Sequence, residues 1–147
     1  MSLTKPKEES KNDFQRLTLN DQSLTHLYLS EDDLDKEEMQ SLSEALKVNQ
    51  TLIYLNLREN RRIGDEGMQA LNEALKVNQT LTNLDLGNNR IGNKGMQALS
   101  ESLKVNQTLN QLGLAGNKIK DEGMQALSES LKSQLNAYPF ESWPELF

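Results

Sequence analysis

A segment of 28 or 29 residues recurs along this chain. Leu52 follows Leu24 by 28 residues, Leu81 follows Leu52 by 29, and Leu109 follows Leu81 by 28. A single unit of this size cannot bury its own apolar face, so it must stack on a copy of itself. The period therefore predicts an array of stacked units, each in contact only with its neighbours, rather than one central core.

Each unit combines the pattern of a strand with the pattern of a helix. Leu81, Leu84 and Leu86 alternate with polar residues, which predicts a short strand with one buried face. From Met96 onward the apolar residues recur at intervals of three and four, which predicts an amphipathic helix. A strand–helix–strand crossover of this length joins parallel strands. The predicted fold class is therefore α/β, a curved array with a parallel sheet on its concave side and helices on its convex side.

The ends of the predicted helices carry polar residues. Asp65, Asn93 and Asp121 stand where helices begin, and side chains of these types cap helix N-termini. Val105 and Asn106 stand where the helix of the third full unit ends. Because asparagine tolerates the left-handed backbone conformation, we expect Asn106 to end that helix in this conformation.

The spacing Leu-x-x-Leu-x-Leu-x-x-Asn resembles the leucine-rich repeat. It occurs at Leu52/Leu55/Leu57/Asn60, Leu81/Leu84/Leu86/Asn89 and Leu109/Leu112/Leu114/Asn117. The segment IGxxGMQALxExLKVNQTL that follows resembles the ribonuclease-inhibitor subtype, whose repeats are helical on the convex side. The resemblance covers residues 24–131 and implies a ladder in which Asn60, Asn89 and Asn117 bond to the backbone of the adjacent loop. Asp32 occupies the matching position of the first copy, so the ladder is expected to weaken there.

One repeat domain with a cap at each end is expected to span residues 13–147. Its four repeats are predicted at residues 24–51, 52–80, 81–108 and 109–134. Residues 1–12 are polar and charged, which predicts a flexible tail. Residues 13–23 are predicted to form an N-terminal cap that closes the stack. Within this cap, Phe14, Leu17 and Leu19 have the strand spacing, so the segment is interpreted as a strand, antiparallel through a hairpin.

Residues 135–147 are predicted to form a C-terminal cap. Leu135, Tyr138 and Phe140 repeat the strand spacing, and Pro139 among them lacks the N–H that further strand pairing needs. The aromatic side chains of this segment would cover the core of the last repeat; they are Tyr138, Phe140, Trp143 and Phe147. The alternative is an exposed linear motif that docks into another protein.

The composition excludes several classes of function. The chain has no cysteine and a single histidine, His26, which leaves neither thiol chemistry nor a metal site of several imidazoles. No serine or acid is placed by spacing to work with His26, and the glycines belong to strand-to-helix turns rather than to a phosphate loop. Residues 31–33 are acidic but lack the ligand spacing and glycine of a calcium loop. We therefore expect no enzyme activity, cofactor, metal or small-molecule substrate.

Charge and hydropathy point to a cytoplasmic protein that binds neither nucleic acid nor membrane. The formal net charge is −6, whereas nucleic-acid binding rests on an excess of Lys and Arg. Residues 1–14 contain no apolar run, which predicts neither a signal peptide nor a membrane span. Asn49, Asn78 and Asn106 each begin a formal glycosylation sequon, which we interpret as a by-product of the repeat.

The residues between the strand leucines are expected to face the concave side. They differ from copy to copy while the helices stay nearly identical, as expected of a binding face on a uniform scaffold. Tyr and Arg are the residue types that tend to anchor interfaces, which favours an anchor at Tyr28, Tyr54 and Arg58. The candidate partner-binding residues are His26, Tyr28, Tyr54, Asn56, Arg58, Asn83, Asp85 and Gln111.

The second repeat has one additional residue in the loop after its strand. The insertion falls beside Arg61 and Arg62, which are predicted to project at the rim. They are either a tolerated loop insertion with solvated charge or a basic prong for a carboxylate or phosphate of a partner.

The leading hypothesis is a non-enzymatic module that binds another protein through its concave strand face. Two alternatives follow from the resemblance. Ran GTPase-activating proteins and the actin-capping tropomodulins carry similar repeats, which implies a regulator of a GTPase or of the cytoskeleton. For GTPase activation the candidates would be Arg58, Arg61 and Arg62. Similar repeats also sense ligands within larger receptors such as NOD-like receptors, although no nucleotide-binding segment accompanies them in this sequence.

Overall fold

Helices and short parallel strands alternate along this chain. The computed structural model describes the backbone of residues 7–137 and the side chains of residues 9–132. The elements are α1 (Lys7–Thr18), β1 (His26–Tyr28), α2 (Lys36–Val48), β2 (Tyr54–Asn56), α3 (Gly64–Leu75), β3 (Asn83–Asp85), α4 (Asn93–Leu103), β4 (Gln111–Gly113) and α5 (Asp121–Ala137). The strands form one sheet in the order β1-β2-β3-β4, and each helix packs against the next. The predicted α/β solenoid of leucine-rich-repeat type is confirmed.

The central leucine of each strand sets the register of the sheet. Leu27, Leu55, Leu84 and Leu112 are successive Cα partners in three parallel pairs. Leu27, Leu55 and Leu84 are at most 3% exposed, because their side chains point into the core between the sheet and the helices. The residues before and after each leucine are exposed or half-buried. Each strand therefore has one face in the core and the opposite face toward solvent.

Glycine permits the close packing of successive helices. A Cβ atom added at Gly95 would lie 2.7 Å from Oδ1 of Asp65, 2.8 Å from Cγ2 of Ile91 and 3.3 Å from Cβ of Met68. The matching glycines, Gly67 and Gly123, meet an isoleucine and a methionine in the same way. A larger residue at these positions would push the helix away from the one before it.

The N-terminal cap is a helix, so the prediction of an antiparallel strand over residues 14–19 is wrong. Phe14 and Leu17 are 6% and 0% exposed and pack into the core beside α2, whereas Leu19 is 72% exposed. A spacing of three separates the first two leucines of the repeat motif, but it also fits one face of a helix, and the helix covers the open side of α2. The prediction of a flexible tail is wrong for residues 7–12, which lie in α1. Residues 1–6 lie outside the described residues.

A hydrogen-bonded turn joins this cap to the first strand. The Asp21 carboxylate accepts bonds from the backbone N–H and the hydroxyl of Ser23, at 2.9 and 2.7 Å, and from Nε of Arg16 at 2.8 Å. The hydrogen bonds from the Ser23 hydroxyl and from Arg16 lower the pKa of Asp21 to about 2. The turn therefore stays charged and bonded at neutral pH.

The last repeat is less buried than the repeats before it. Leu127 is buried, but five other core residues of this repeat are only half-buried; they are Leu109, Leu112, Leu114, Ile119 and Leu131. The predicted boundary at residue 134 and the strand starting at Leu135 are wrong, because α5 continues to Ala137. The remaining residues of the predicted C-terminal cap, with its aromatic side chains, lie outside the described residues.

Helices α4 and α5 are capped by side chains of the preceding repeat. Oδ1 of Asp65 accepts bonds from the N–H groups of Gly92 and Gly95, at 2.7 and 2.9 Å, and so caps α4 rather than its own helix. Oδ1 of Asn93 likewise accepts a bond from the N–H of Lys120, at the start of α5. Helices α3 and α4 begin early enough to include Asp65 and Asn93, which turns these side chains toward the following unit. The expectation that each caps its own helix is wrong.

Asparagines at the other end of the helices form a buried ladder. Asn106 is not in the left-handed conformation, contrary to expectation, and Asn49 has an extended backbone with φ −73° and ψ 136°. Each side chain donates to a backbone carbonyl of the preceding unit: Asn49 to Leu17, Asn78 to Leu46 and Asn106 to Leu75, at 2.9, 2.8 and 2.7 Å. Each also accepts from N–H groups two and three residues further on. These three asparagine side chains therefore join neighbouring units and do not serve to end a helix.

A second ladder runs through the loops that follow the strands. The side-chain amides of Asn60, Asn89 and Asn117 donate to the carbonyls of Leu29, Leu57 and Leu86 in the preceding unit, at 2.7, 2.8 and 2.8 Å. Oδ1 of Asn60 also accepts from the N–H of Leu34, which ties the loop around Asp32 into the ladder. The two ladders hold both ends of every strand in register.

Candidate functional site

The solvent face of the sheet gathers the candidate residues into two rows. The register places His26, Tyr54, Asn83 and Gln111 in one row and Tyr28, Asn56, Asp85 and Gly113 in the next. Arg58 follows β2 by two residues. His26, Tyr28, Arg58 and Gln111 are exposed, and Tyr54, Asn56, Asn83 and Asp85 are half-buried. All eight residues therefore reach solvent on the concave side of the array.

Three aromatic rings form a continuous patch at the N-terminal end of this face. The ring of His26 stacks on Tyr54 with centroids 5.7 Å apart and an interplanar angle of 22°. The ring of Tyr28 lies 5.3 Å from Tyr54 at 40°, and Tyr28 is 58% exposed. The Thr25 hydroxyl lies 3.0 Å from Nδ1 of His26 and helps to orient the imidazole. Rings packed at these distances are already ordered, so a partner that covers them loses little side-chain entropy.

The C-terminal half of the face is polar. Oδ1 of Asp85 accepts from the N–H of Gly87 at 2.9 Å, and Asn83 donates to the side-chain oxygen of Gln111. A Cβ atom at Gly113 would lie 2.7 Å from Oδ1 of Asp85, so this side chain occupies the space that a larger neighbour would fill. The polar groups in this half bond to one another, whereas the rings of the other half are free to be covered.

The inserted loop of the second repeat carries exposed cations. Arg61 and Arg62 are both exposed, and Nη1 of Arg62 lies 3.5 Å from the Asp33 carboxylate of the first repeat. The side chains of that pair are 54% and 61% exposed, so water and salt weaken it strongly. Arg58, which stands closer to the sheet, has its Nε 3.4 Å from the Glu59 carboxylate.

Several chemistries find no support in the part of the chain that the structure describes. Across those residues, no group of three or more His, Asp or Glu side chains is arranged to hold a metal ion. The helices among them are too short or too polar to cross a membrane. The sequon residues Asn49, Asn78 and Asn106 are at most 4% exposed, and their amide nitrogens donate hydrogen bonds inside the fold.

Comparison with known proteins identifies the class. Residues 48–71, 77–100 and 105–128 each match the family described as Leucine Rich repeat. These three matches and the parallel strand–helix stack make the chain a leucine-rich repeat protein. Its assignment to the ribonuclease-inhibitor subtype stays a prediction from the helix sequence. No curated protein is similar enough to this chain to count as a match.

Two solved structures share the fold over nearly the whole chain. The structure titled Leiomodin-1 Actin-Binding Site 2 has a TM-score of 0.66 and 21% sequence identity, and the match covers 92% of this chain and 95% of that one. The tropomodulin C-terminal domain of Caenorhabditis elegans has a TM-score of 0.61 and 16% identity, with 88% and 95% covered. Identities this low show a common fold and nothing finer.

Sequence reasoning identified Arg61 at the rim but missed the residues that hold the same position in the other repeats. Arg61, Arg90 and Lys118 each stand four positions after the last leucine of their strand motif, and Asp33 holds that position in the first repeat. All four side chains are exposed. Alignment of the repeats on their leucines places these residues in one column, which the insertion beside Arg61 obscures in the second repeat.

Proposed function

We propose that this chain is a non-enzymatic interaction module that binds a partner protein through the concave face of its sheet. The observation that carries the proposal is the aromatic patch formed by His26, Tyr28 and Tyr54. Large, ordered rings left in solvent are the side chains that most often dominate binding energy when a partner covers them. Asparagine ladders at both ends of the strands keep that patch rigid.

The dimensions of the face limit the kind of contact. Four strands at about 4.8 Å spacing give a face roughly 19 Å across. A helix with its side chains is about 10–12 Å wide, so one helix or one loop of a partner fits across the sheet. The aromatic patch would contact the apolar side of that helix or loop, and Arg58 and Asp85 would bind polar groups of the partner beside it.

The surroundings of the only histidine support a non-enzymatic role. His26 contacts the Thr25 hydroxyl and the Tyr54 ring. Among the described residues, no carboxylate lies within hydrogen-bonding distance of its imidazole, so nothing there orients it as a catalytic base. We include in the proposal an adaptor role in the cytoplasm, which the absence of cysteine from the sequence supports.

Removal of the two tyrosine rings tests the proposed face. The double variant Tyr28→Ala/Tyr54→Ala is expected to lose capture of the partner from native lysate, because hot-spot aromatics each contribute about 2 kcal/mol or more to binding. Quantitative mass spectrometry of the captured proteins gives the measurement. The melting temperature should fall by only a few degrees, since both rings lie on the solvent face.

A matched control removes exposed apolar area elsewhere. Val77 and Val105 are 55% and 59% exposed at the ends of α3 and α4, away from the sheet. The variant Val77→Ala/Val105→Ala should capture the same proteins as the unaltered chain. Equal capture by the tyrosine variant would refute the concave-face proposal.

A second candidate function is regulation of the actin cytoskeleton. The likeness to a structure whose title names an actin-binding site, over 92% of this chain, favours it. If this candidate holds, the full chain sediments with filamentous actin, and Tyr28→Ala/Tyr54→Ala weakens that binding at least tenfold. Absence of the unaltered chain from the actin pellet, with a tropomodulin fragment as positive control, would remove the candidate.

A further inference from the structure

A column of like charges runs along the rim of the stack. Arg61, Arg90 and Lys118 occupy the same position in three successive loops, and Asp33 occupies it in the first. Backbone bonds hold these loops together, for example from the N–H of Lys118 to the carbonyl of Ile91 at 2.8 Å. Strands stack at about 4.8 Å and helices at about 8–10 Å, so neighbouring charges of the column stand roughly 5–10 Å apart.

The three cations are not neutralised by nearby acids. Within the described part of the chain, no carboxylate lies within 4 Å of Arg61, Arg90 or Lys118, whereas Arg62 reaches back to Asp33. Three like charges in register repel one another. This repulsion lowers the stability of the fold, so stability does not account for the column. A group of three unpaired cations among the described residues is also unexpected on a chain whose formal net charge is −6.

Backbone strain marks one cation of the column. Arg90 has a φ of +58°, in the left-handed region that arginine adopts at a conformational cost. Asp33 has a φ of +53°, and aspartate is among the residue types that tolerate this region. The position two residues before the column also has a positive φ in each of the four loops, at Glu31, Glu59, Asn88 and Gly116. Among the cations of the column, Arg90 therefore occupies a position where glycine or asparagine would be more stable, as binding residues often do.

We propose that this column binds an extended acidic segment of the partner protein. The inference rests on the proposed function and adds the chemistry of the partner. In an extended segment, alternate side chains point the same way about 6.6–7 Å apart, which falls within the spacing of the column. Three carboxylates of the segment bind Arg61, Arg90 and Lys118, with the arginines able to form paired bonds, and a cation at its other end binds Asp33.

The order of charges favours a protein segment over a uniform polyanion. Along the rim the column has one negative and then three positive charges, so its complement has mixed sign and a defined direction. A nucleic acid would place phosphates against Asp33 and the neighbouring Glu31, both exposed. The weak pair between Asp33 and Arg62 exchanges readily with a cation of the partner, because both side chains are more than half exposed.

The test is a titration of the full chain followed by the NMR shifts of its backbone amides, at about 10 mM salt where screening is slight. The probes are the capped peptide Lys-Ser-Glu-Ser-Glu-Ser-Glu, its charge-reversed counterpart Glu-Ser-Lys-Ser-Lys-Ser-Lys, and tetrauridylate with its three phosphodiesters. The rim variant is Arg61→Gln/Arg90→Gln/Lys118→Gln. The control variant is Lys47→Gln/Lys76→Gln/Lys104→Gln. It removes the same charge from another in-register column, in which each lysine pairs with a glutamate of its own helix at 2.6–2.8 Å.

We expect the acidic peptide to shift amides in the three rim loops, with binding at least tenfold weaker in the rim variant and within twofold in the control variant. The charge-reversed peptide should leave those loops unshifted. Shifts outside the rim, equal weakening in both variants, or tighter binding of tetrauridylate than of the acidic peptide would each overturn the proposal.

The Tyr28→Ala/Tyr54→Ala variant should bind the acidic peptide normally. Partner capture that is indifferent to the tyrosines would then refute the concave face while leaving the rim intact.

Discussion

Replacing Asn78 by alanine is expected to lower the free energy of unfolding by about 3–5 kcal/mol. The Asn78 side chain is 4% exposed and donates to the carbonyls of Leu46 and Asn49, at 2.8 and 3.2 Å. It also accepts from the N–H groups of Thr80 and Leu81, at 3.1 and 2.9 Å. Alanine leaves these buried backbone groups without a partner, and each unsatisfied group costs about 1–3 kcal/mol.

Urea unfolding followed by circular dichroism measures this loss, and two further variants make it specific. Asn78→Asp keeps both acceptor bonds but places a buried carboxylate oxygen against the carbonyls of Leu46 and Asn49, so its loss should be at least as large as that of Asn78→Ala. Gln79→Ala changes the neighbouring exposed residue and should stay within about 0.5 kcal/mol of the unaltered chain. A loss below 1 kcal/mol for Asn78→Ala would show that the ladder does not hold the units together.

Replacing Leu55 by alanine is expected to lower the free energy of unfolding by about 2–5 kcal/mol. Leu55 is 0% exposed at the centre of β2, with Leu27 and Leu84 as its register partners on either side. Units on both sides fix the surrounding side chains, so the cavity cannot collapse. The same urea experiment measures the effect.

The equivalent substitution in the last repeat provides the comparison. Leu112 holds the same position in β4 but is only half-buried, because β4 has a neighbouring strand on one side alone among the described residues. Leu112→Ala should therefore cost roughly half as much as Leu55→Ala, in proportion to the apolar area that it removes from the core. Equal losses at the two positions would contradict the view that burial in this fold depends on having a unit on both sides.

The stability experiments bear on the candidate site as well. The aromatic patch and the charged rim both depend on neighbouring units staying in register, and no side chain on the solvent face buries enough area to enforce it. Leu55 does so from the core side, Asn78 at one end of the strands and Asn89 at the other. A variant that loosens one of these should therefore weaken partner binding without touching the binding face.

Within the repeats, the spacing of apolar residues was sufficient to predict the secondary structure. The alternation around Leu84 predicted a strand, and the stripe beginning at Met96 predicted a helix, because each pattern has a single period that fits it. The same reasoning failed at residues 14–19. Phe14 and Leu17 are three residues apart, which copies the first two leucines of the repeat motif but also fits one face of a helix, and the need to cover α2 decided between them. It failed again at Asn106, where the local conformational preference of asparagine yielded to a hydrogen bond with Leu75 of the preceding unit.

The sequence by itself determined the period, the alternation of strand and helix, and the side of each strand that faces the core, because these depend on the spacing of apolar residues along one chain. Only the tertiary structure decided that Asp65 caps the next helix and that the rings of His26 and Tyr54 stack. Those features join residues from different units. They depend on how far one unit is shifted and rotated against the next, which the packing of helices and the two asparagine ladders set.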